Sequence, residues 1–154
     1  MTLHEKLAAH WTSQKIRHLG GANPDDIVRF EERNGVSVPK DFWAFLLDFN
    51  GTSEMAGTDY FRFLPLAEFG SSRDRNAMDF GEPFESTYPS KPDGFFVFAD
   101  YLQWCYGYAI NLSKDAVVND VALIGGLTCD VVARSFTEFM EMYLRDDIRL
   151  HPRS

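Results

Sequence analysis

Four histidines, two cysteines and a surplus of carboxylates are the raw material for chemistry in this chain. His4, His10, His18 and His151 are confined to its two ends, whereas a metal site needs donors converging at short spacing. His10 and His18 stand two helical turns apart, not at the i, i+4 spacing of a helical ligand pair. They are expected to be ordinary surface or packing residues. Cys105 and Cys129 form no CxxC pair and lie among apolar strand residues, which predicts inert, reduced thiols. Gly20-Gly21 and Gly125-Gly126 lack the spacing and the lysine of a phosphate loop, and no Gly-x-Ser-x-Gly elbow occurs. Glu31-Glu32 is the neatest carboxylate pair, yet adjacent helical residues point in different directions and cannot share a substrate. A backbone or arginine contact for Glu31 beside a core helix fits better. No catalytic, metal-binding or cofactor-binding residue is expected, and no cofactor.

The elements that would position such residues begin with a helix predicted from Thr2 to Leu19, with Leu3, Leu7 and Trp11 on one stripe and Gly20-Gly21 ending it. Two core helices follow. Asn23 is a good N-cap, Pro24 suits the first helical position, and Gly35 can close the helix in the left-handed region. Pro39 opens the next helix, which carries Phe42, Leu46 and Phe49 with Trp43 and Leu47 beside them, and Asn50-Gly51 is expected to end it the same way. Residues 60–134 read as strands: Tyr60–Leu64, Gly94–Ala99, Gln103–Asn111, one or two around Val117–Ile124, and Asp130–Arg134. A turn is expected at Asp100-Tyr101-Leu102, and an irregular stretch over residues 70–93 with one short helix near Asn76. Ser135 and Glu138 set up a capping box for a last helix with Phe136, Phe139, Met140, Tyr143 and Leu144 on one face. The fold class is α+β: one domain, residues 1–154, with a twisted, mainly antiparallel sheet packed against N-terminal helices and a C-terminal helix.

Charge narrows the partners. The net charge is −8, and residues 41–130 hold five basic against fourteen acidic residues. Such a field repels nucleic acid and anionic membrane and attracts a basic protein; a solubilising surface is the plain alternative. The segment after Met1 has no apolar core of a secretory signal, and no apolar run approaches the roughly 20 residues of a membrane span. A cytoplasmic location is expected.

The order of short motifs resembles the SUKH superfamily, whose members include bacterial toxin-immunity proteins and fungal regulators of cell-wall synthesis. The residues concerned are Val28, Phe30, Glu31, Gly35, Val38, Pro39, Asp41, Phe42, Leu46, Asn50 and Gly51, followed by Ala133-Arg134-Ser135-Phe136 and Phe139 entering the last helix. The likeness spans about residues 23–144. Tyr101-Leu102-Gln103-Trp104 departs from it, where many relatives carry a small or acidic turn.

The resemblance implies a non-enzymatic binding protein that neutralises a bacterial toxin, such as a nuclease with a basic active site. A regulatory scaffold of the fungal kind is the alternative, and a small carboxylate-dependent hydrolase a third. Asp79, Glu82, Glu85, Asp93, Asp100, Tyr101 and Trp104 are the expected partner contacts, the carboxylates for steering and the aromatics as anchors.

Overall fold

The computed structural model describes residues 1–53, 57–71, 94–103, 105–125 and 128–151. Helix α1, Leu3–Ser13, starts where the Thr2 hydroxyl accepts from the Glu5 amide at 3.1 Å, and it buries Leu7 and Trp11. It stops six residues short of the expected end. Lys15 takes φ +57°, the Ile16 amide donates to the Trp11 carbonyl, and the chain then runs extended, with Leu19 donating to Gly51. The turn lets Ile16 reach the core. Burial of that side chain, not Gly20-Gly21, sets the boundary.

Helix α2, Pro24–Asn34, is capped as expected: the Asn23 side chain accepts from Asp25, and Gly35 sits at φ +65°. The link to α3 is held by Glu31, whose Oε2 accepts from the Val38 amide at 2.7 Å. Helix α3, Lys40–Asp48, buries Phe42, Phe45 and Leu46. It ends earlier than the sequence predicts and by another device. Phe49 is already extended, and the Asn50 side chain accepts from the Leu66 amide at 2.8 Å. Gly51, at φ +92°, lies where an added Cβ would be 2.7 Å from the Pro65 nitrogen. Gly51 therefore serves close approach to the next segment and not a helix cap.

The antiparallel sheet runs β1-β3-β4-β5-β6, with β2 also paired to β3. Its strands are β1 Phe61–Phe63, β2 Gly70–Ser71, β3 Phe95–Tyr101, β4 Tyr106–Asn111, β5 Val121–Gly125 and β6 Thr128–Ala133. Val117, 98% exposed, is in no strand. Along β4 and β5 the sides alternate: Tyr108, Ile110, Val121 and Leu123 join the helix-side core, while Ala109, Ala122 and Ile124 join a second cluster with Phe95 and Val97. Helix α4, Phe136–Leu144, starts at Ser135, whose hydroxyl accepts from Glu138. Its Phe136 ring stacks on Phe42 at 4.3 Å and meets Phe45 at 4.8 Å, so α3 and α4 share the centre of the core.

One irregularity in β3 decides what the sheet presents at its end. Val97 pairs with Ala109 and Ala99 with Tyr108, so Phe98 is an extra residue, a bulge. Both Phe98 and Ala99 then belong to the helix-side core, and the alternation changes phase. Tyr101 therefore turns toward the helices.

Candidate functional site

The turn expected at Asp100–Leu102 falls later, because β3 continues to Tyr101 and the reversal is made at Leu102 and Gln103, both at positive φ. Asp100, expected in an exposed turn as a partner contact, is 2% exposed within β3, beside Arg62 in register. It is a buried strand residue that offers no surface to a partner. Tyr101 is 7% exposed and packs at 4.9 Å on Phe61. Asp79, Glu82, Glu85, Asp93 and Trp104 lie outside the described residues.

The structure instead gathers residues that no spacing connects. At the edge where β1, α1 and α4 meet lies an open cleft of about 400 Å³. Its floor is a hydrogen-bond relay. The buried Trp11 indole donates to the Tyr143 hydroxyl at 3.0 Å, and that hydroxyl donates to Asp59 Oδ2 at 2.5 Å. Asp59 Oδ1 accepts from the Phe61 amide, and His10 Nε2 lies 3.4 Å from Oδ2. The opposite wall is a second chain of contacts. His151 stands between the Tyr101 hydroxyl, 2.9 Å from Nδ1, and Asp146, 2.6 Å from Nε2. A neutral ring donating from Nε2 to the carboxylate accepts the tyrosine hydroxyl at Nδ1. Below it the Tyr108 hydroxyl donates to the Leu150 carbonyl, which ties the 3₁₀ turn Ile148–Leu150 to the sheet.

These environments favour protonated phenols. Burial, then the Asp59 carboxylate and its hydrogen bond, push the Tyr143 phenol well above the ordinary tyrosine range. Burial chiefly does the same to Tyr108, and it raises the Tyr101 phenol as well, with Asp146 adding to the latter. The tyrosines serve as hydrogen-bond donors, and two carboxylates carry the charge of the cleft. No lysine or arginine among the described residues lines it. Among the described residues, no three His, Cys, Asp or Glu side chains converge as a metal site.

Sequence reasoning missed this site for a physical reason. Asp59 lies 49 residues from His10 and 84 from Tyr143, so no local periodicity relates them. The one available signal was that Trp11 and Tyr143 both fall on predicted buried stripes and both carry polar tips that need partners.

Comparison with protein families matches residues 21–142 to the SMI1 / KNR4 family (SUKH-1). This chain belongs to that family. No curated protein matches the chain significantly. Three of the residues behind the resemblance are fastenings. Glu31 holds the link, Asn50 holds β1's continuation, and Asp41 holds the start of α4, where its Oδ2 accepts from the Thr137 amide and hydroxyl. His10, Tyr143, Asp146 and His151 all fall outside the matched span. Among the described residues no helix is long and apolar enough to cross a membrane.

Proposed function

We propose that this chain is a non-enzymatic, cytoplasmic binding protein of the immunity kind, which seizes a toxin domain with a basic face and blocks it. The observation that carries the reading is membership of the SMI1/KNR4 family across residues 21–142. The charge distribution supports a basic partner, since the whole negative excess lies in residues 41–130. The acidic residues Asp79, Glu82, Glu85 and Asp93 supply the steering field in this reading. Tyr101 and Trp104 remain the proposed aromatic contacts. In the cleft, the titratable groups are engaged with one another, and the phenols stay protonated, as suits recognition more than turnover.

The test is co-expression with the product of the gene directly upstream. Growth should be restored, and the two proteins should elute as one complex. A reproducible hydrolytic turnover abolished by changing a single carboxylate would overturn the reading.

A further inference from the structure

We infer that the cleft between α1, β1 and α4 is an anchor pocket for an arginine side chain of the bound protein. The inference rests on the toxin-binding reading for the identity of the partner, and on the cleft itself for the chemistry. The volume of about 400 Å³ falls within the roughly 300–1,000 Å³ of ligand clefts and leaves room for one long side chain. Two carboxylates face this space from different walls. Asp59 is fixed by Tyr143 and the Phe61 amide, whereas the Asp146 side chain is 84% exposed at the rim. Among the described residues no lysine or arginine lines the cleft, and the basic side chains that meet its carboxylates are the imidazoles of His10 and His151. Tyr60, 57% exposed, offers its ring to a flat cation and is braced edge to face at 6.4 Å by the buried Tyr101. Leu144 and Phe61 give apolar lining for a methylene stem.

Arginine fits this set better than lysine, because its planar guanidinium stacks on rings and presents several N–H donors to separated carboxylates. The backbone commits to the same geometry. Tyr60 and Asp146 are both held at positive φ, at 68° and 52°, a conformation uncommon for non-glycine residues and concentrated at functional sites.

The test titrates the ¹⁵N-labelled protein with N-acetyl-arginine amide, and with the lysine and norleucine amides for comparison. Amide shifts should centre on Tyr60, Tyr101, Leu144 and Asp146, with arginine tighter than lysine and norleucine silent. Asp146→Asn, which tolerates the same φ, should weaken binding about fivefold, in line with an exposed ion pair. Tyr60→Asn should weaken it about two- to fivefold, as loss of an exposed cation–π contact does. Gln14→Lys, at the exposed end of α1, places a resident cation in the cleft and should abolish binding at an unchanged melting temperature. Shifts spread over the acidic surface, equal response to norleucine, or undiminished binding by all three variants would each overturn the pocket.

The same variants enter the toxin-rescue assay. Failure of the unaltered protein to rescue overturns the toxin reading, while the amide titration still decides the pocket. Rescue by Gln14→Lys at undiminished toxin affinity overturns the pocket as the anchor and leaves the toxin reading standing.

Discussion

Asp41 and Thr137 are 96 residues apart in the chain, yet Asp41 Oδ2 accepts both the amide and the hydroxyl of Thr137, at 2.9 and 2.8 Å. A carboxylate in the first turn of α3 thus caps the N-terminus of α4 from outside, where the helix dipole favours negative charge. Asp41→Ala is expected to destabilise the domain by about 1–3 kcal/mol. Asp41→Asn, which keeps an acceptor, should lose less. Urea unfolding of the two variants decides it; equal losses would mean that charge alone matters.

Gly51→Val is expected to cost more than about 1 kcal/mol, because a β-branched residue is strained at φ +92°. The close contact adds to this, since a Cβ would lie 2.9 Å from the Phe63 carbonyl oxygen. Gly51→Ala, equally crowded but unbranched, should already lower the melting temperature. An unchanged midpoint for Ala would show that the loop before β1 gives way freely.

Tyr143→Phe removes the acceptor of the Trp11 indole and the donor to Asp59 in one step. Leaving the buried indole N–H without a partner is expected to cost about 1–3 kcal/mol. The cleft floor should loosen with it, seen as faster hydrogen exchange at the Phe61 amide. Retention of full stability would require a replacement partner for Trp11.

Alkaline pH supplies a test with a definite sign. The folded state holds the phenolic protons of Tyr108 and Tyr143 more tightly than the unfolded chain does. Their contribution to stability is therefore fully present below the unfolded value of about 10 and is lost as pH rises beyond it. Tyrosinate absorbance and circular dichroism followed together should show these two phenols ionising only with unfolding. Two extra ionisations in a native protein near pH 10 would contradict their burial.

Partner association should slow steeply as salt rises, since exposed charges are screened beyond about 8 Å at physiological ionic strength. Reversing Glu82 and Glu85 to lysine should slow association without unfolding the domain. The burial of Tyr101 alters the matching expectation for an aromatic anchor. Tyr101→Ala would unseat Phe61 as well, so Tyr101→Phe, which loses only the hydroxyl contact with His151, is the informative change. Stopped-flow binding across a salt series reads both effects.

The parts of this fold legible in the sequence are those fixed by near neighbours. Asn23, Pro24 and Gly35 frame α2, and Ser135 opens α4, because capping is settled within a few residues. The ends of α1 and α3 were not legible. Each is set by a contact with a distant strand segment, Ile16 in the core and Asn50 against Leu66. The facing of β3 was hidden for another reason: Phe95 to Phe98 is apolar on both sides, so no alternation shows where the extra residue lies. Without that bulge Asp100 would face the aromatic core and Tyr101 would leave the cleft. The acidic bias was plain from composition, but the convergence of His10, Asp59, Tyr143 and His151 needed the folded chain.

The walls of the cleft have a consequence for how the protein is made. Asp59 leaves the ribosome 84 residues before Tyr143, the residue that anchors it. At about 5–20 residues per second, that separation is roughly 4–17 s of synthesis. Throughout this interval the cleft lacks the groups supplied by Tyr143, Asp146 and His151, which have not yet emerged. Recognition through the cleft thus begins only when translation has passed α4.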